Sequence, residues 1–237
     1  MKLNPLLAVL TAIGVSISAS PLLRAAEEDG VALAIIYDTS GSMKDPVPDK
    51  SGGSAPKYII ANRSLRSVAR QIQAFATNTA AGPRKINAGL FIFQGQHAKE
   101  AIPFGPFDAA ALENWASHFS DPRGNTPLGN ALTAAGRAVL ASNLTRKHIL
   151  VITDGINTAG PPPATALAQL RRQCDQRHAS LSVHFIAFDV DAKVFAPVKK
   201  LDATVVAAAD EKQLETQLQF ILQRKILLED EEPIKKN

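Results

Sequence analysis

Apolar and polar positions along this chain follow two alternating rhythms. Val31 to Tyr37 is a continuous apolar run, the pattern of a strand buried on both faces of a parallel sheet. Ile86 to Phe93, His148 to Thr153 and Leu181 to Phe188 predict further strands, and Ala203 to Ala207 a short one. Between them the spacing turns helical, first at Ile59, Leu65, Val68, Ile72 and Phe75 within Tyr58 to Ala76. Asp108 is placed to cap a helix carrying Leu112, Trp115 and Phe119. Thr126-Pro127 opens another that runs through Leu140, with Pro127 at the tolerated first-turn position. A fourth helix follows Pro161-Pro162-Pro163 to about Arg177, a short one covers Ala192 to Lys200, and Asp210 caps a last amphipathic one with Leu214, Leu218, Ile221 and Leu222. The Gln94-Gly95-Gln96-His97 turn is too short for a crossover, so Ala98 to Ile102 must pair antiparallel at an edge. Lys44 to Pro56, rich in Pro, Gly, Ser and charge, is read as a loop.

This alternation predicts one α/β domain: a doubly wound, mostly parallel, Rossmann-like sheet with one antiparallel edge strand and helices on both faces. A length of 237 residues is enough to bury a substantial core, and 46% hydrophobic content argues against disorder. The net charge of +4 is modest and the Lys and Arg residues are scattered, which argues against nucleic-acid binding. Lys2, the apolar stretch Leu6 to Ile17 and the small residues Ser16, Ser18, Ala19 and Ser20 together read as an export signal over residues 1–26. The expected location is periplasmic or secreted; the alternative is an uncleaved inner-membrane anchor, since Leu6 to Leu23 approaches spanning length. Residues 27–228 then form the domain and 229–237 a charged tail. The single cysteine, Cys174, has no partner for an internal disulfide and reads as a packed thiol.

The chemistry concentrates at Asp38-Thr39-Ser40-Gly41-Ser42-Met43, directly after the first strand. In an extended segment residues i, i+2 and i+4 point the same way, so Asp38, Ser40 and Ser42 converge. One carboxylate and two hydroxyls make a hard, all-oxygen set suited to Mg²⁺ or Mn²⁺ and not to zinc or copper. Asp154 also stands just after a strand, and doubly wound folds build their sites at that carboxyl rim.

Asp38-x-Ser40-x-Ser42, then Thr126, then Thr153-Asp154-Gly155, in this order relative to the strands, resembles the von Willebrand factor A domain and its metal-ion-dependent adhesion site. The resemblance covers roughly Gly30 to Gln223. It implies that Ser40, Ser42 and Thr126 give oxygens to a cation (Mg²⁺, with Mn²⁺ or Ca²⁺ as alternatives), while Asp38 and Asp154 bind it directly or through water. It further implies an open coordination position for an Asp or Glu of a protein partner. The function expected is an exported, metal-dependent protein-binding module that is not an enzyme. A scaffold or chaperone-like subunit of an envelope complex is the alternative. The Lys44 to Pro56 insertion is expected to overhang the rim and select or cover the ligand. A phosphotransferase of the haloacid dehalogenase type also places an Asp after its first strand, but needs a second Asp where this chain has Ser40. No nucleophile elbow or Gly-rich phosphate loop is present.

Overall fold

The computed structural model describes residues 27–78 and 84–228; the expected export signal and charged tail lie outside the described residues. Six strands form the main sheet: β1 (Glu28–Tyr37), β4 (Ile86–Gln94), β5 (His97–Pro106), β6 (Leu144–Thr153), β7 (Ser182–Phe188) and β8 (Thr204–Ala208). Their order is β5-β4-β1-β6-β7-β8, and every neighbouring pair is parallel except β4 with β5. The helices are α1 (Lys57–Thr77), α2 (Ala109–His118), α3 (Leu128–Ala141), α4 (Pro163–Arg177), α5 (Ala196–Lys199) and α6 (Glu211–Ile221), the last continued by a π-helical turn, Leu222–Leu227. The expected α/β class, the antiparallel edge and the helices on both faces are all present.

The pleat explains why the central runs are apolar throughout. Val31, Leu33, Ile35 and Tyr37 of β1 pack with α1, α2 and α6, while Ala32, Ala34 and Ile36 face α3 and α4. Tyr37 anchors the first layer. Its hydroxyl donates to Asn62 Oδ1 at 2.7 Å, and its ring meets Trp115 and Phe119 edge-on at 5.2 and 5.7 Å. Trp115 is therefore a core aromatic that also lines an open groove between α2 and β5. On the same side of the sheet His148 and His184 are buried and stack on each other at 5.8 Å. Cys174 is buried on the inner face of α4, as expected of a packed thiol.

Of three expected helix starts, two cap with a side chain and one does not. The Asp108 carboxylate accepts from the Ala111 amide and Asp210 from the Gln213 amide, so both cap as expected. Pro127, not Thr126, occupies the cap position of α3 and makes no side-chain cap bond, which leaves the Thr126 hydroxyl outside that role.

The segment read as a loop at Lys44 to Pro56 is an ordered hairpin. β2 (Pro46–Pro48) pairs antiparallel with β3 (Ser54–Pro56), after a 3₁₀ turn over Gly41–Lys44. Composition hid it because both strands are three residues long and between them carry three prolines, Pro46, Pro48 and Pro56. Rather than overhanging freely it is docked. Val47 is buried in the core, the Lys50 amide donates to Glu211 Oε2 at 3.0 Å, and Lys50 Nζ reaches Glu215 at 2.7 Å. Glu211, fully buried, also meets Arg63 at 3.2 Å. The hairpin thus ties the segment after β1 to the start of α6.

Edge strand β5 pairs with β4 through two register shifts, around Ala88, Leu90 and Phe91. One of them adjoins Gly89, where an added Cβ would lie 2.9 Å from the Phe104 backbone.

Candidate metal centre

β1 lies between β4 and β6, where the direction of winding reverses, and the carboxyl ends of β1 and β6 define the crevice. Asp38 follows β1 directly, its amide donating to Ile152 O at 3.0 Å, and Asp154 follows β6. The Asp38 carboxylate organises its own loop. Oδ1 accepts from the Ser40 amide at 2.8 Å and Oδ2 from the Thr153 hydroxyl at 2.5 Å. Thr39 clips the loop to β4, donating to Phe93 O and accepting from the Phe93 amide, both at 3.1 Å. Arg123 N and Gly41 N bridge the loop to residues 123–124, at 2.7 Å to Thr39 O and 3.2 Å to Gly124 O.

The hydroxyls gather, although through the 3₁₀ turn over Gly41–Lys44 and not through the extended segment expected. Ser40 Oγ and Ser42 Oγ lie 3.1 Å apart, and Ser42 donates to Asp154 Oδ1 at 2.9 Å. Thr126 is held through its backbone, its amide donating to Thr158 Oγ1 at 2.8 Å and its carbonyl accepting from the Thr158 amide at 3.1 Å. Gly155 marks the convergence: a Cβ there would stand 3.3 Å from Thr126 Oγ1 and 3.9 Å from Asp38 Oδ2. All five predicted residues therefore border one space at the rim, and four of them (Asp38, Ser40, Thr126, Asp154) are buried.

The electrostatics fit a cation there. Burial, and then the charge of Asp154, push the Asp38 carboxyl up to about 6. Two carboxylates and three hydroxyls form a donor set of hard oxygens, matched to a hard divalent ion. Among the described residues no cluster of three or more His, Cys, Asp or Glu could hold a metal, so an ion at this rim depends on the hydroxyls.

Sequence reasoning missed a cation that the chain itself supplies. Lys57, the first residue of α1, is buried with its ammonium 2.9 Å from Asp154 Oδ2, 3.1 Å from Asp189 Oδ2 and 3.8 Å from Asp45 Oδ2. Burial opposes its charge, but the contacts with Asp154 and Asp189 outweigh that, and its pKa lies above the ordinary lysine value. The signal was available. Lys57 is in register with the buried stripe Ala61, Ser64, Leu65, Val68 and Ile72 of α1, where a charge demands a partner. Asp189 follows β7 just as Asp38 and Asp154 follow β1 and β6, in a left-handed conformation (φ 54°). Asp154 thus shares its two oxygens, one with the Ser42 hydroxyl and one with the Lys57 ammonium.

A doubly wound sheet with this oxygen-lined rim defines a class of domain, and the family model of the von Willebrand factor type A domain matches residues 32–220. The chain belongs to that family. The uncharacterized protein YwmD of Bacillus subtilis (strain 168) is 27% identical over 189 residues, which cover 74% of this chain and 75% of that one. Solved structures show the same fold at low identity. The PilB minor pilin of Streptococcus sanguinis is 15% identical with a TM-score of 0.62, over 83% of this chain and 62% of the pilin. An aerotolerance-related membrane protein of Bacteroides fragilis is 17% identical with a TM-score of 0.57, over 82% of this chain and 98% of that one. Proximal thread matrix protein 1 of the mussel byssus, in a form with a zinc-occupied metal-ion-dependent adhesion site, is 16% identical with a TM-score of 0.56, over 84% of this chain and 49% of that one. This chain thus spans less than two thirds of the pilin and of the byssus protein.

Proposed function

We propose that this chain is an exported protein-binding module whose rim holds a divalent cation on Ser40, Ser42 and Thr126, with Asp38 and Asp154 binding directly or through water. The observation that carries the reading is the convergence of these five side chains from three distant segments on one space beside Gly155. When bound, the ion supplies a Lewis-acidic position that an Asp or Glu of a partner protein fills. Neutral hydroxyls leave a divalent charge partly uncompensated and therefore attractive to an external carboxylate. Ile156, exposed two residues beyond Asp154, offers an apolar contact next to it. Mg²⁺ is the ion favoured by the donors, with Mn²⁺ and Ca²⁺ as alternatives. The fold shared with a minor pilin supports an interaction role outside the cytoplasm, as does the export signal read at residues 1–26. Among the described residues no helix is long and apolar enough to cross a membrane.

No chemistry is assigned to the rim. The Ser40 hydroxyl is engaged by Ser42 and, through it, by Asp154, a string with no imidazole to serve as base. The buried His148 and His184 are committed to each other within the sheet layer.

If the folded state alone binds Mg²⁺, saturation to a hundred times Kd adds about 2.7 kcal/mol of stability. For a domain of this size that raises Tm by about 5–10 °C. Asp38→Ala is expected to abolish the rise. Thermal unfolding with and without MgCl₂ checks this, and an equal rise in wild type and variant sinks the site assignment. Retention of envelope proteins on the immobilised domain should likewise disappear in chelator and in Asp38→Ala.

A further inference from the structure

We propose that the Lys57 ammonium is a built-in competitor of the divalent cation for Asp154, holding metal affinity low until an external carboxylate joins the site. The proposal rests on the metal-centre reading above and concerns how tightly that centre binds. Three observations carry it.

Lys57 Nζ makes its shortest contact, 2.9 Å, with Asp154 Oδ2, an oxygen of the same carboxylate whose Oδ1 accepts from Ser42. The ammonium and the hydroxyl cluster therefore sit on the two sides of one carboxylate, a few ångströms apart. The Lys57 side chain is 5% exposed, so water does little to screen its charge from an ion at the hydroxyls. It is also held in place. Asp189 at 3.1 Å and Asp45 at 3.8 Å flank it, and the Lys57 amide donates to Asp45 O at 3.0 Å at the base of the docked hairpin.

The consequence is a matter of charge. Asp38 and Asp154 offer two negative charges to a divalent ion, and Lys57 offsets part of one of them. A cation at the rim is then left with net positive charge and gains more from a partner's carboxylate than it would over two unopposed aspartates. Without metal, the same ammonium keeps Asp154 compensated, so the empty rim stays folded.

The experiment is calorimetric titration with MgCl₂ alone, repeated with MnCl₂, on wild type, Lys57→Met, Lys57→Gln and Asp38→Ala. Lys57→Gln keeps an amide donor toward Asp154 without the charge, and serves if Lys57→Met fails to fold by circular dichroism. Both Lys57 variants are expected to bind Mg²⁺ about tenfold more tightly than wild type or better, the effect of removing one nearby charge. The gain should vanish when Asp38→Ala is added. Their metal-free Tm should fall and their Mg²⁺-induced rise should exceed that of wild type. Tight binding by the variants where wild type shows none supports the proposal equally. Unchanged or weaker affinity in the variants, with wild type binding, overturns it and leaves the metal centre standing. A lysine that merely braces α1 would lower stability without tightening metal binding. If neither wild type nor the Lys57 variants bind either ion, the metal centre itself falls and the competitor with it.

Discussion

Gly129→Ala is expected to destabilise the domain by about 2–3 kcal/mol, lowering Tm by about 5–10 °C. A Cβ on Gly129 would lie 2.0 Å from the Pro161 carbonyl oxygen, backbone against backbone, so no side-chain rotation relieves it. Gly129 sits in the first turn of α3, three residues after Thr126, and its amide donates to Asn157 Oδ1 at 3.2 Å. The contact therefore sets how closely the segment after Asp154 lies against the start of α3. Pushing the two apart must also loosen Thr126, which is held by Thr158 on both of its backbone groups. The expected signature is double: a lower midpoint in chelator and a smaller Mg²⁺-induced rise. Thermal melts with and without MgCl₂ measure both. A variant as stable as wild type would mean that the α3–α4 approach has slack the geometry does not show.

Acid should destabilise the domain through the histidine pair. Burial, followed by the charges of neighbouring His184 and Arg146, pushes His148 down to about 3, and burial with Lys225 pushes His184 down to about 4. In the unfolded chain both titrate near 6.5. Between those values the unfolded state binds more protons, so stability is present above about pH 6.5 and is lost as pH falls toward the folded values. Asp38 opposes this. Its carboxyl, raised to about 6, binds its proton in the folded state first, and contributes a loss as pH rises from about 4 to 6. Two groups against one leave a net slope of about 1.4 kcal/mol per pH unit between roughly pH 6 and 4. Urea unfolding in chelator at pH 6.5, 5.5 and 4.5 reads it. Replacing both histidines by leucine should remove the loss and reverse the slope to about the same size, about 1.4 kcal/mol per pH unit, because Asp38 then acts alone. A double variant that loses stability as steeply as wild type would clear the pair of any part in acid sensitivity.

The sheet and its order of elements were legible because burial on both faces writes itself as uninterrupted apolar runs. Asp38, Ser40 and Ser42 were legible as a group from their alternate spacing, but the geometry differs from the extended one expected: a 3₁₀ turn over Gly41–Lys44 carries Ser42. The Lys44 to Pro56 hairpin was not, since three-residue strands have no periodicity to show, and what docks them (Val47 in the core, Lys50 on Glu211 and Glu215) comes from elements far away in sequence. Thr126 stood next to the expected helix start, and the placement of Pro127 at the cap keeps its hydroxyl out of any capping role. Lys57 was passed over because it stood between a stretch read as loop and a helix read from its apolar residues. A charge on the buried stripe of that helix was the clue.

The sheet ends in two open borders, and the chain disarms each of them. β5 carries Lys99, Glu100, Pro103 and Pro106 and is kinked by its mismatched pairing with β4, while β8 is only five residues long. Another copy of the molecule finds no long flat ladder on which to add a strand. Growth by stacking molecule upon molecule is disfavoured by construction.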